Sequence, residues 1–454
     1  MPNTLEANPI GHAAPDQLAA QLLDRLSKAR RLTDDLFNIV SASALYARPI
    51  GERHRIIFYI GHLEAFDWNL FRGRLLSIPA FNPEFDNLFA FGIDPVDGGL
   101  PTDEPYHWPP MNQVRAYVES IRSRIDDALL DLDSPAKKSS EPADFSPNTL
   151  LNVAIEHRLM HAETLTYMLH QLPYDSKIAP PPEAAVAAPP VASRMVDIPS
   201  GIATLGLPRT EPGAFGWDNE YEAHTIDVPA FAIDNHKVTN RQFLEFLEAG
   251  GYEAREYWRS EDWQWKESAG IAHPVLWKRT EGGWLYRTMF REIPLRPDWP
   301  VYVSHAEASA YAQWANKSLP TEAQWHRAAY STLGGVETQY PWGNQPPSDL
   351  HGNFDFVRWN PTPVGAFPEG ATAFGVHDLL GNGWEWTSTV FQPFPGFRPF
   401  SFYPGYSANF FDGKHYVMKG GSARTASSML RRSFRNWFQP HYQYVYAGFR
   451  CVTH

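Results

Sequence analysis

The chain has 454 residues, a net charge of −12 at pH 7 and a pI near 5.8, which argues against a nucleic-acid binder because no basic stretch is available to neutralise phosphates. No run approaches the ~18 apolar residues of a membrane-spanning helix, and Met1–Gln17 lacks the basic-then-apolar pattern of a secretory signal. The single cysteine, Cys451, leaves no disulfide framework and no multi-thiolate zinc site. It fits a reducing, cytoplasmic setting, so any metal ligands must come from His, Asp and Glu.

From about Asp16 to Tyr174 the pattern is helical. Apolar residues recur at three- and four-residue spacing over Leu18–Tyr46, Val114–Leu132 and Leu150–Leu172, which predicts helices that bury one face against one another. Between the first two lies the aromatic-flanked run Tyr59-Ile60-Gly61-His62-Leu63-Glu64-Ala65-Phe66. The third carries Glu156-His157-Arg158-Leu159-Met160-His161-Ala162-Glu163. Histidines at i and i+4 share a helix face and can reach one metal ion. Glu163 stands where a carboxylate could orient such a ligand. Histidine pairs of this spacing also occur on ordinary solvated helices, and a buried histidine such as His62 is commonly bonded to a backbone carbonyl. Metal sites in bundles draw ligands from facing helices. His62 is therefore the candidate third ligand, with His54, His107 and His170 as rivals.

Tyr174–Ser193 contains Ala-Pro-Pro-Pro-Glu-Ala-Ala-Val-Ala-Ala-Pro-Pro, which cannot continue a helix and predicts an extended linker over 175–194. From Met195 onward short strands, Gly and Pro turns and abundant Trp take over, with helices expected at Asn240–Ala249 and His305–Asn316. This half reads as a compact α+β domain rich in irregular structure.

A histidine in an aromatic helix, followed well down the chain by His-x-x-x-His-x-Glu, resembles the metal-binding helical domain of the ergothioneine-biosynthesis sulfoxide synthases. The second half resembles their other domain, which has the formylglycine-generating-enzyme fold, a relative of C-type lectins. The runs that carry this resemblance are Trp217-Asp218-Asn219-Glu220, Lys237-Val238-Thr239-Asn240, Leu319-Pro320-Thr321-Glu322-Ala323-Gln324-Trp325 and Tyr340-Pro341-Trp342-Gly343. After them come Leu380-Gly381-Asn382-Gly383-Trp384-Glu385-Trp386-Thr387, Gly420-Gly421-Ser422, Arg435-Asn436-Trp437 and Ala447-Gly448-Phe449-Arg450. The implied fold class is α plus α+β: a four-helix bundle of DinB type over 16–174, the linker, and a formylglycine-generating-enzyme-like domain over 195–454. Most of these motifs hold the fold and are not counted as catalytic.

The resemblance implies Fe(II) held by His62, His157 and His161, with open positions for O2 and a sulfur donor. It implies joining of that donor to the imidazole C2 of hercynine, the trimethylated betaine of histidine. Asn436 and Trp437 match positions that contact the betaine, whose trimethylammonium head suits the aromatic faces this chain has in quantity. Tyr403 and Tyr406 lie where the family places a tyrosine that delivers a proton or hydrogen atom, and the sequence leaves open which one serves.

Departures from the family bear on the donor. Members that use γ-glutamylcysteine have an acid after the Asn-Trp pair and an arginine four residues beyond; here Phe438 and Tyr442 stand there. A further arginine pair of those members has no counterpart in Pro101–Pro109. Desolvating a γ-glutamyl dipeptide without cationic partners is costly, whereas aromatic rings suit a neutral sugar. These substitutions fit the branch that makes selenoneine from hercynine and a selenosugar. Met160 replaces a glutamine that contacts the substrate imidazole in many members. Alternatives are a γ-glutamylcysteine or cysteine donor, a metal-dependent thiol transferase or hydrolase, and a non-catalytic binding protein. Formylglycine generation is disfavoured, because that chemistry uses paired cysteines and only Cys451 is present. The expected partners are small molecules, with neither nucleic acid nor membrane.

Overall fold

The computed structural model describes residues 15–76, 78–90, 102–130, 146–211 and 213–453. It divides into two compact units, one ending at Pro181 and one beginning at Pro182. Met1–Ala14 of the N-terminal segment, Pro101, the predicted helix end at Leu132 and the C-terminal His454 lie outside the described residues.

The first unit comprises α1 (Pro15–Asn38), α2 (Ile56–Phe71), the short α3 (Pro83–Leu88), α4 (Met111–Leu130) and α5 (Pro147–His170). α1 packs along α5, and α2 packs against both α4 and α5. α5 starts where the Ser146 side chain accepts the Thr149 N–H, with Pro147 at the first helical position, a combination that satisfies end donors and presets the backbone. α2 is buried on nearly every side, through Ile56, Ile57, Phe58, Tyr59, Leu63, Ala65, Trp68 and Phe71. A helix buried on nearly every side is a central one and has no solvent-facing polar stripe.

α1 stops at Asn38, short of the expected Tyr46. The chain beyond it turns aside to pair with the end of the unit, where Ile178 N–H donates to Ile39 O at 2.7 Å and Ser41 N–H to Ser176 O at 2.9 Å. Ala44 and Leu45 are still buried, so apolar spacing continues after the helix has ended.

An ion network, buried at Arg158, Glu64 and Asp67 and open at its outer ends, joins the four long helices. The guanidinium of Arg158 on α5 donates to Asp67 at 2.8 Å and pairs with Glu64 at 2.9 Å, both on α2. Arg122 on α4 reaches Glu64 at 2.8 Å and Asp34 on α1 at 2.7 Å, and Arg30 on α1 reaches Asp126 on α4 at 2.6 Å. Burial alone would raise the Glu64 carboxyl, but Arg158, Arg122 and Arg30 together hold it down to about 2.

The second unit contains β1 (Met195–Ile198), β2 (Gly201–Leu205), β3 (His224–Val228), β4 (Phe231–Asp234), α6 (Asn240–Glu248), α7 (Ser260–Ala269), β5 (Trp277–Thr280), β6 (Gly283–Arg287), β7 (Glu292–Pro294), α8 (His305–Trp314), α9 (Glu322–Tyr330), β8 (Trp384–Val390), β9 (Tyr416–Lys419), β10 (Asn436–Phe438), β11 (Ala447–Gly448) and β12 (Val452–Thr453). The strands form small sheets in the orders β1-β4-β12, β10-β9-β8-β11, β5-β6-β7 and β2-β3. α7 and α9 add to the two helices read from the pattern. α9 begins with a capping box in which Thr321 and Gln324 satisfy each other's backbone N–H groups, a start signal present in the Leu319–Trp325 motif.

Several motif residues build the core of this unit. Buried Glu385 on β8 accepts from Arg450 at 2.7 and 2.8 Å and from the Trp325 indole at 2.9 Å, and pairs with Lys237 at 3.1 Å. The proline-rich segment is extended, and beyond Pro181 it lies against this unit rather than running free. Glu183 accepts the Trp359 N–H at 2.6 Å, and Asn235 bonds both the Ala192 carbonyl at 3.1 Å and the Arg194 N–H at 3.0 Å. Among the described residues no helix is long and apolar enough to cross a membrane.

Candidate metal centre

α2 presents His62, and α5 presents His157 and His161, to one point in the helical unit. One ring nitrogen from each lies within 4.8 Å of the others, and all three residues are buried. The Nε2 atoms of His157 and His161 stand 3.1 Å apart. The His62 Nδ1–H donates to the Phe89 carbonyl at 2.7 Å, which fixes the tautomer and leaves the Nε2 lone pair for a ligand. The Nδ1 atoms of His157 and His161 are buried and have no hydrogen-bond partner among the described residues.

Aromatic rings enclose this point. Phe66 stacks on His157 with ring centres 3.5 Å apart, Phe58 on His62 at 4.8 Å, and Tyr59 lies 5.7 Å from His161. Burial pushes His62 down to about 4 and holds His157 and His161 well below the ordinary imidazole value. Burial thus favours the neutral form of each ring, the form that can donate a lone pair. The donor set fits a divalent transition ion, since imidazole nitrogens ~2.1 Å from one ion and at right angles stand ~3.0 Å apart. Three ligands leave further coordination positions for other molecules.

The rival histidines go elsewhere. His54 stacks on Phe58 at 4.1 Å, His107 accepts the Glu104 N–H at 2.9 Å in a short turn, and His170 is buried at the end of α5. Among the described residues the triad is the one group of three potential ligands. Neither helix-borne Nδ1 is bonded among the described residues, so no hydrogen bond from these atoms to Glu163 is present. Met160 is the one half-buried position in an otherwise buried stretch from Leu150 to Glu163, so it marks the side on which the ligand helix opens.

In the second unit, β10 carries Asn436, Trp437 and Phe438. Strand side chains alternate, so Asn436 and Phe438 share a face and Trp437 takes the other. Trp437 stacks on Phe391 at 4.2 Å and meets Tyr406 edge-on at 5.5 Å. Tyr406 in turn stacks on Trp217 at 4.0 Å, with Tyr403 5.6 Å away. On the opposite face Phe438 stacks on Tyr442 at 5.0 Å. The Asn436 side chain accepts the N–H of Trp437 at 2.9 Å. The second-unit candidates thus separate into a Trp437–Tyr406–Tyr403 group and a Phe438–Tyr442 pair.

Some features were not visible in the sequence. Phe89 supplies the carbonyl that holds His62 and Phe66 covers His157; neither follows a period. The segment 101–109 lacks arginine, yet its Asp103 binds Arg48 and Arg55 from the connection before α2 and accepts the Trp108 indole N–H at 2.7 Å. Arginines are therefore present beside it but engaged by a carboxylate of the chain.

Residues 182–454 match the sulfatase-modifying factor enzyme 1-like domain family, and residues 25–165 match the DinB superfamily. A hercynine oxygenase of Mycolicibacterium thermoresistibile is 32% identical over 445 residues, spanning 96% of this chain and 94% of its own. The chain belongs to the hercynine-oxygenase family. Another hercynine oxygenase, from Mycolicibacterium smegmatis, is 36% identical over 351 residues, 76% of this chain and 78% of its own. Ergothioneine biosynthesis protein 1 of Neurospora crassa is 29% identical, with 90% of this chain and 55% of that protein aligned. The long match to a hercynine oxygenase takes in both units in the same order.

Proposed function

We propose that the chain is a non-haem iron oxygenase that uses O2 to join the imidazole C2 of hercynine to the chalcogen of a selenosugar. The observation that carries the oxygenase part is the buried, convergent triad of His62, His157 and His161, and the kinship with hercynine oxygenases supports the substrate. The donor part rests on the stacked Phe438–Tyr442 pair, which stands where dipeptide-using members have an acid and an arginine.

In the reaction the C2–H and chalcogen–H bonds break and the carbon–chalcogen bond forms. One oxygen atom goes to the chalcogen and the other leaves as water, so O2 accepts all four electrons. Ferrous iron, when bound, would supply open positions for O2 and donor together with one-electron chemistry. The chain's own part is to keep three imidazoles unprotonated and to exclude bulk water with Phe58, Phe66 and Tyr59. Asn436 and Trp437 are assigned to the betaine, where the indole face suits the trimethylammonium group. Tyr403 or Tyr406 exchanges the proton lost from C2. Phe438 and Tyr442 stack on the sugar, and Met160 contacts the substrates at the open side of α5.

The test is a competition assay with enzyme loaded anaerobically with Fe(II). Hercynine is offered with equal amounts of γ-glutamylcysteine, cysteine and a 1-seleno-sugar, and products are read by mass spectrometry after air is admitted. A hercynine–selenosugar adduct is expected. A γ-glutamyl product would overturn the donor part and leave the iron site standing, and no adduct from any donor would overturn both.

A further inference from the structure

We infer that Arg259 and Asp262 form a latch that sets the Phe438–Tyr442 pair, making Asp262 a positioning residue for the choice of donor; this rests on the reading of that pair as the donor wall. Phe438 on β10 lies directly opposite Tyr416 on β9, and directly opposed residues of an antiparallel pair share a face. The Tyr416 hydroxyl is bonded to Arg259 at 2.6 Å. Arg259 grips both oxygens of buried Asp262 at 2.6 and 3.1 Å. Asp262 accepts from the His441 imidazole at 2.8 Å, and His441 is the neighbour of Tyr442, which stacks back on Phe438. Strand register, hydrogen bonds, the chain itself and a ring stack together link Phe438 through Tyr416, Arg259, Asp262 and His441 to Tyr442.

The bland account of Asp262 is an acidic residue in the first turn of α7, favoured by the helix dipole. That explains its place on the helix but neither of its outer partners. The turn that carries Tyr442 is tied down at three points. Tyr442 N–H donates to Gln439 O at 3.1 Å, the Pro440 carbonyl accepts Ala306 N–H at 3.1 Å, and His441 lies flat on Trp265 with ring centres 4.8 Å apart. A fourth tie is the hydrogen bond from His441 to Asp262, which like the Trp265 stack is made by the side chain adjoining Tyr442. Removing it takes away the hydrogen bond that fixes His441, loosens the His441–Tyr442 end of the turn and leaves β10 paired with β9.

The experiment uses the full chain loaded with Fe(II) and compares Asp262→Ala, His441→Ala and His441→Gln, with Phe438→Ala as reference for the wall. Readouts are KM for 1-seleno-glucose, KM for hercynine, kcat and bound iron. Loss of the bond is expected to raise the donor KM on the order of tenfold in Asp262→Ala and His441→Ala. Hercynine KM, kcat and iron content should stay near those of the parent, and His441→Gln, which keeps an N–H for Asp262, should restore the donor KM. If Phe438→Ala raises the donor KM and the latch variants do not, the latch is overturned and the wall stands. If Phe438→Ala leaves it unchanged, the wall reading falls and the latch with it. A parallel loss of every readout would reduce Asp262 to a structural residue. Should Asp262→Ala fail to fold, the two His441 variants, on a half-exposed turn, decide the matter.

Discussion

Arg158 donates across 3.0 Å to the carbonyl of Leu63, so the residue after one candidate ligand on α5 is bonded to the residue after another on α2. The same guanidinium is paired with Glu64 and Asp67. The spacing of the ligand helices is thereby set by a charged group immediately behind the imidazoles.

Replacing Arg158 by Met should cost about 3–5 kcal/mol of stability, because two carboxylates would be left buried without their shared partner. Urea unfolding of the apo protein checks this, and a loss below 1 kcal/mol would mean that water or Arg122 takes over the compensation.

His161→Ala should abolish stoichiometric iron binding and iron-dependent O2 consumption while leaving the apo fold intact. Ligand binding to the native state alone stabilises it. A chelator should therefore lower the melting temperature of the iron-loaded parent and leave that of the variant unmoved.

A Cβ at Gly61 would sit 2.5 Å from the Phe89 ring, and Phe89 is the residue whose carbonyl holds His62. Gly61→Ala should push that carbonyl away and weaken iron binding about 10–100-fold, as loss of a ligand's outer hydrogen bond does. Competition with a chelator of known affinity measures it, and an unchanged affinity would show that Phe89 can yield without releasing His62.

Burial pushes the Asp218 carboxyl from 3.8 up to about 6, against the bonds it accepts from Ser407 and the Asn219 and Phe400 backbone. A folded value above the unfolded one contributes stability that is fully present below pH ~4 and lost as pH rises through ~6. The loss amounts to on the order of 3 kcal/mol. Asp218→Asn should flatten this part of the profile, which urea unfolding between pH 4 and 7 compares directly.

The double variant Phe438→Asp, Tyr442→Arg should gain use of γ-glutamylcysteine by about tenfold or more in kcat/KM, since it restores charged partners for the dipeptide. Absence of any gain would count against the account of the donor wall.

α1 and α4 were legible because their apolar residues repeat every three to four positions, and α5, though buried on nearly every side, because that spacing runs through its whole length. α2 was not, because it is shorter as well as buried on nearly every side and has no polar stripe to mark its phase, and its histidine gained meaning only through resemblance. In the second unit much of the order comes from single side chains that collect distant carbonyls. Arg327 binds those of Pro199, Ser200 and Ile202, and Arg424 those of Phe356 and Arg358. Such bonds follow no period. The i, i+4 spacing offered His157 and His161 as a candidate pair and the resemblance gave it weight, while Phe89, Phe66 and Asp262 reach their partners only after the chain has folded.

Of the three imidazoles, only that of His62 is locked by a hydrogen bond at Nδ1; the Nδ1 atoms of His157 and His161 have none among the described residues. Rings steered by neighbours in this way can turn slightly to suit the ion that arrives. Three neutral imidazoles bind copper, nickel and zinc at least as tightly as ferrous iron. Occupancy is then decided by supply more than by the protein, and a preparation that meets zinc before iron would carry an inert ion in a well-formed site.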